Sequence, residues 1–278
     1  MFQGNVDDCY KKILDNIKRH DWPTPFVPEP QPWFPESDER CIEVPWALSR
    51  YSGQKSVLEI GLALADLMLI RAQLQLKEYT NCDLSGMDLV DIHRTIDRFK
   101  SLNLDLTEIY NFHQEDARDT NFENNSFDLI FCISTLEHIG FDEFEEDERI
   151  DSIFKRPENY PEALPSYKEC RDDRKAITEI KRILSPHGSL LLTVPFGNRG
   201  ICLAQDSKGL WGLGKEYNWQ EWNSLLKESG LNILEERFFV NKDTDGWIEL
   251  HNPESFVFES RKITDVVKCV GCVELQKS

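Results

Sequence analysis

Apolar and polar positions along the chain fall into short hydrophobic runs separated by longer stretches of helical period. Residues 57–60 form an apolar run broken only by Glu59; Gly61 ends it, and a helical pattern follows over about 66–77. Residues 82–88 predict a short strand ending in an acid, and 91–102 a helix through Ile92, Ile96 and Phe99. Residues 109–113 predict another short strand. Residues 127–134 are almost continuously apolar at strand length, as expected of a strand buried on both faces. Ala176, Ile177, Ile180, Ile183 and Leu184 mark one helical face, which Ser185-Pro-His-Gly188 stops before a buried strand over 189–194. A helix over 218–230 carries Asn218 and Glu221 at capping-box spacing. Residues 232–240 and 266–275 supply two last strands, expected to pair antiparallel around a loop holding Trp247, Glu249 and His251. Strands alternating with helices predict parallel pairing and right-handed crossovers, hence an α/β fold with a doubly wound, mostly parallel sheet and an antiparallel C-terminal strand.

The ends and insertions of this pattern differ in kind. Residues 7–20 predict an amphipathic helix through Tyr10, Ile13, Leu14 and Ile17. Residues 22–40 interleave six prolines with Trp22, Phe26, Trp33 and Phe34. That composition predicts an extended path, either a strap packed on the main domain or a docking segment for a partner. Glu43-Val-Pro-Trp46 is expected to lead into a short helix ending near Gly53. The chain therefore divides into N-terminal additions over 1–52 and a main domain over 53–278, with an acidic insertion at 141–171 and a glycine-rich loop at 197–215. Long structured loops at the carboxyl end of a sheet shape binding sites.

Composition narrows the functional classes. The chain has 278 residues, enough for one large α/β domain with additions. A formal net charge of −18 argues against a phosphate-backbone substrate or an anionic membrane surface, so neither nucleic acid nor membrane is expected as partner. No apolar run approaches the ~20 residues that cross a bilayer. Asp7, Asp8, Lys11 and Lys12 interrupt the place of a signal-peptide core, so a cytoplasmic location is expected. Of the eight cysteines, Cys269 and Cys272 form a lone CxxC in a strand pattern. With no second ligand pair at metal spacing, reduced thiols and no structural metal are expected.

Five stretches, taken in order, resemble a class I S-adenosylmethionine-dependent methyltransferase of the group acting on small molecules. They are Val57-Leu-Glu-Ile-Gly61, Gly86-Met-Asp88, Glu115-Asp-Ala117, the run from Phe127 to Leu136-Glu-His138, and Ile183-Leu-Ser-Pro-His-Gly-Ser-Leu-Leu-Leu-Thr-Val-Pro195. The resemblance implies a Rossmann-like sheet with S-adenosyl-L-methionine as cofactor and a small molecule as methyl acceptor. It further implies that Gly61 and Ala63 admit the cofactor at the first turn, and that Glu59 orients that turn or the methionine amino group. Asp88, 27 residues after Gly61, would hold the ribose diol, near the ~20-residue offset of such acids; the competing role is a helix N-cap. Asp116 and Ala117 would meet adenine, against the alternative of a surface acid, and Ser134 would close the cofactor site. Ala stands at two turn positions where the family has glycine, which leaves open a non-catalytic relative that binds a partner.

Methyl transfer from a sulfonium is an in-line displacement that needs a positioned nucleophile and, for a hydroxyl, a base. His138 follows the fourth strand at the ligand-binding edge, so it stands either as that base, favouring O-methylation, or as a structural cap. Glu137, Arg199, Trp211 and Tyr217 are candidate acceptor contacts. Arg199 and Lys215 serve either as the local cations for a sugar- or phosphate-bearing acceptor or simply as solubilising surface charges. The acids Asp142, Glu143, Glu145, Glu146 and Asp147 are expected to be a solvated face rather than a metal site.

Overall fold

The computed structural model describes residues 39–101, 110–140, 171–198, 201–202, 214–242, 246–255 and 267–278. The amphipathic helix, nearly all of the proline strap, the acidic insertion as far as residue 170, and Arg199 and Trp211 lie outside the described residues.

The described elements run α1 (Arg40–Leu48), β1 (Ser56–Ile60), α2 (Leu67–Thr80), β2 (Asp83–Asp88), α3 (Ile92–Ser101), β3 (Asn111–Gln114), β4 (Phe127–Ile133), α4 (Asp172–Ile183), β5 (Leu184–Pro195), β6 (Ile201–Cys202), β7 (Gly214–Lys215), α5 (Trp219–Ser229), β8 (Asn232–Lys242), β9 (Gly246–Glu249) and β10 (Cys269–Gln276). Eight strands form one sheet in the order β3-β2-β1-β4-β5-β10-β8-β9; β6 and β7 pair separately. Strands β3, β2, β1, β4 and β5 are parallel, and β10 lies antiparallel to both β5 and β8. The strand order reverses direction between β1 and β4, which places the ligand crevice of an open α/β sheet at their carboxyl ends.

Strand β4 shows why its sequence is apolar throughout. Leu129, Phe131 and Ile133 pack with α1 and α2 through Trp46, Leu69 and Ile70, on one side of the sheet. Ile130 and Cys132 pack with α4 and α5 through Ile177, Ile180 and Trp222 on the other. Each such buried side chain contributes roughly 1.5–3 kcal/mol of transfer free energy. At the far end, Asn218 caps α5 by the expected capping box and Gly230 closes it in the left-handed region. Cys272 and Cys269 fall in the clusters on opposite faces of β10, as residues three apart in a strand must, so the CxxC does not form a chelating pair.

Three expectations shift. Helix α1 begins at Arg40, ahead of Glu43-Val-Pro-Trp46, and holds Pro45 inside it. Its backbone bonds flank the proline: Glu43 N–H donates to Glu39 O at 3.0 Å and Ser49 N–H to Pro45 O at 3.0 Å. Strand β5 begins at Leu184, which already pairs with Phe127, and runs on through Ser185–Gly188 across a left-handed His187 at φ 65° and a register irregularity opposite Phe127–Leu129. Trp247 and Glu249 belong to a further strand, β9, that hairpins onto β8. Trp247 is buried in the same cluster as Trp46, which supplies the reason that edge is structured.

Candidate active site

The carboxyl ends of β1, β2 and β4 meet at one place, and backbone geometry fixes it. Gly61 leaves β1 with φ 87°, in the left-handed region open chiefly to glycine. A side chain there would also collide with Thr135, whose hydroxyl donates to Ile60 O or Ile133 O, each 3.1 Å away. Residues Leu62–Leu64 then form a single 3-10 turn. Ala65 has φ −56°, and Ala63 is not among the positive-φ residues. The two alanines therefore occupy backbone conformations that need no glycine. Leu62, fully buried, turns inward over Gly86 and leaves no room for a side chain at that position of β2.

Asp88 ends β2 and ties the turn to it. Its Oδ2 accepts from Ala63 N–H at 2.9 Å and its Oδ1 from Val90 N–H at 3.0 Å. The N-cap alternative for Asp88 falls away, since Asp91 accepts from His93 N–H at 2.9 Å at the start of α3. Asp88 also lines a small, open cleft with Leu62, Gly86, Val90, Thr95 and Phe112.

Asp116 and Ala117 follow β3. Ala117 is buried in the core cluster on the α4 side. The Asp116 carboxylate is gripped by Arg118, with Nε 2.9 Å from Oδ1 and a terminal nitrogen 2.5 Å from Oδ2. That hydrogen-bonded guanidinium holds Asp116 below its ordinary pKa. Arg118 also reaches Asp172 at 2.5 Å, joining the β3 loop to the start of α4.

Two buried glutamates stand at the ends of the paired strands β1 and β4. Glu59 is 1% exposed and accepts from Gln73 at 2.5 Å; Gln73 in turn accepts from the Tyr110 hydroxyl. Burial pushes the Glu59 carboxyl up to about 8. Ser134, at φ 46°, leaves β4 in the left-handed region, a strained position for a residue with a side chain. Its hydroxyl donates to Glu43 of α1, 2.9 Å from Oε1, and Glu43 is also paired with Arg40 at 2.6 Å. Glu137 is 3% exposed and its Oε2 has no hydrogen-bond partner. Burial, reinforced by Glu43, pushes Glu137 up to about 8. His138, half-exposed, has Nε2 3.9 Å from Glu137 Oε1. Strand β7 roofs this turn so closely that a Cβ on Gly214 would lie 2.7 Å from the Glu137 carbonyl oxygen.

Tyr217 is fully buried beside this turn, and its hydroxyl donates to Asp173 Oδ2 at 3.1 Å. Burial, then the Asp173 charge, drives that phenol well above its usual pKa. Lys215 donates to the same Asp173 oxygen at 2.6 Å and lies 4.4 Å from the Tyr217 ring centre. Lys215 is thus committed to an internal pair, which corrects its reading as a cation for an anionic acceptor. The structure brings Glu59, Gly61, Ala63, Asp88, Ser134, Glu137 and His138 to the ends of adjacent strands. Glu43, Gln73, Thr135 and Asp173 complete the setting and were not among the sequence candidates. Glu43 and Glu59 share a readable signal, a lone acid inside an apolar run.

Residues 58–153 match the family model described as a methyltransferase domain. The matched stretch runs from β1 past β4, and the strand order around it is that of a Rossmann-like fold. Among solved structures, the chain is similar to 1,6-didemethyltoxoflavin-N1-methyltransferase of Burkholderia thailandensis, solved with 1,6-didemethyltoxoflavin and S-adenosylhomocysteine bound. The two share 12% identity over 81% of this chain and 72% of the other, with a TM-score of 0.44. A methyltransferase of Methanosarcina mazei shares 16% identity over 82% and 94%, at 0.49. The N-methyltransferase NodS of Bradyrhizobium japonicum, solved with S-adenosyl-L-homocysteine, shares 14% over 96% and 98%, at 0.42. No curated protein matches the chain.

Proposed function

We propose that the protein is an S-adenosylmethionine-dependent methyltransferase acting on a small-molecule acceptor. The observation that carries this reading is the join of the first turn to the end of β2. Gly61 in the left-handed region and Asp88 bonded to Ala63 N–H form a preshaped edge at the crevice. An adenosyl cofactor fits the groups present there. Backbone at residues 61–65 can approach it closely, and Asp88 puts a carboxylate at the end of β2, where a ribose diol calls for one. Leu89, next to Asp88 and 47% exposed, offers apolar surface for a flat ring; sequence reasoning passed over it. The bound cofactor supplies an electrophilic methyl group. The chain positions an acceptor against it and takes up a proton, for which the turn after β4 offers Glu137 and His138.

Thermal unfolding with and without S-adenosylmethionine tests the reading. The wild type should be stabilised in proportion to ligand concentration, and Asp88→Ala, checked for native circular dichroism, should lose most of that stabilisation. Equal stabilisation of both proteins would remove Asp88 from the cofactor site. No stabilisation of the wild type would favour a methyltransferase-fold protein that serves as a binding partner.

A further inference from the structure

We infer that the acceptor presents an amine, held as its ammonium between Glu43 and Glu137 at the carboxyl end of β4. This inference rests on the methyltransferase reading and specifies its acceptor. The argument begins with a count of hydrogen bonds. Ser134 has one hydroxyl proton to share between two acids: its oxygen lies 2.9 and 3.2 Å from the Glu43 carboxylate oxygens and also acts on the Glu137 carboxyl. Arg40 takes the remaining strong contact with Glu43 at 2.6 Å. Glu137, though 3% exposed, keeps an oxygen with no partner. An unsatisfied buried acceptor costs about 1–3 kcal/mol, so such groups in native proteins call for an explanation.

The charges facing Glu137 point the same way. Glu43 and Arg40 act on it from α1, Cys132 and Tyr217 couple to it from β4 and the segment after β7, and His138 lies 3.9 Å away on its own turn. Among the described residues, Glu43 and Glu137 share the Arg40 guanidinium near Ser134, and Glu39 and Asp66 also draw on it. An ammonium brings three donors and the missing positive charge, whereas a hydroxyl brings one donor and no charge. The raised pKa of Glu137 suits the chemistry as well. An arriving cation favours the ionised carboxylate, which then takes one proton from the ammonium. The lone pair so exposed forms the N–C bond as the C–S bond of the donor breaks, its electron pair staying on sulfur. The products are a methylated ammonium and a neutral thioether, with the proton on Glu137.

Nuclear magnetic resonance of protein carrying carboxyl-labelled glutamate tests this in the S-adenosylhomocysteine-bound wild type, with Glu137→Gln used to assign the signal. Methylammonium chloride is the probe; methanol and sodium chloride at matched concentration are the controls. Methylammonium should lower the Glu137 midpoint by about one pH unit or more, and neither control should. An equal response to all three, or a Glu137 that titrates like an exposed carboxylate, would overturn the amine assignment. Binding of S-adenosylhomocysteine is read separately by calorimetry. If it binds and Glu137 is indifferent to methylammonium, the amine assignment alone fails. If it does not bind, the methyltransferase reading fails and takes the acceptor assignment with it.

Discussion

Glu59 and Glu137 sit at the ends of neighbouring parallel strands, at 1% and 3% exposure, and burial pushes both up to about 8. By depth and by pKa they are twins; by partners they are opposites. Glu59 closes a string of hydrogen bonds through Gln73 to Tyr110, inside the core. Glu137 faces a second acid and leaves an oxygen bare. We take the difference to separate a group that holds the fold from one kept ready for a ligand. Burial and a shifted pKa are common to both, so neither alone marks a functional site; what sets Glu137 apart is an unfilled oxygen together with a second acid facing it.

The turns carrying the two acids interlock, and the sharpest way to break the comparison is at their contact. Gly61→Ala places a side chain against Thr135 at a positive φ. It should cost about 3 kcal/mol or more in urea unfolding and abolish cofactor binding. A mild effect would mean that the two turns are not coupled. Lys215→Met removes the nearer of two cations from Asp173 beneath the second turn, leaving Arg174 at 3.6 Å and the Tyr217 hydroxyl, and should cost about 2 kcal/mol. If stability held and only turnover fell, Lys215 would belong to the acceptor site after all. Asp88→Ala, at the first turn, should weaken S-adenosylmethionine binding roughly 10- to 100-fold while leaving the response of Glu137 to methylammonium intact.

The pH dependence of stability sharpens the comparison further. Both acids have folded pKa values raised from 4.5 to about 8, so the native state holds protons that the unfolded chain releases. Their contribution is therefore fully present below about 4.5, falls as pH rises, and is lost above about 8, at up to about 1.4 kcal/mol per pH unit for each group. Glu59→Gln and Glu137→Gln should each flatten part of that slope, measured by urea unfolding at several pH values. Methylammonium should alter the slope in wild type and in Glu59→Gln but not in Glu137→Gln. The smallest effect is Glu59→Gln at pH 7 itself: an amide replaces a largely protonated carboxyl, and stability should change by less than about 1 kcal/mol.

The sheet was legible in the sequence because each buried strand and each amphipathic helix carries its own period. The run 127–134 and the Asn218/Glu221 box are local signals, and both elements form where expected. The misplacements arise where tertiary packing overrides local rules. Pro45 reads as a helix boundary, yet α1 keeps it because Trp46 and its neighbours are buried against the sheet. Trp247 reads as loop, yet burial beside Trp46 orders it into β9. For the site, Gly61, Asp88 and Ser134 were readable because they end strands. Asp173 was not: in the first turn of α4 it looks like any acid favoured by a helix N-terminus, and only the fold brings Lys215 and Tyr217 onto it. Likewise Glu43 acquires meaning only when α1 lies across the end of β4.

The central claim is that the edge formed by Gly61, Ala63 and Asp88 binds an adenosyl methyl donor. Isothermal calorimetry of the intact chain with S-adenosylmethionine tests it most directly. One site per chain with a dissociation constant near or below about 100 μM, about −5.5 kcal/mol, is the result predicted. An absence of binding at millimolar ligand, by calorimetry and by equilibrium dialysis on the same folded sample, would contradict it.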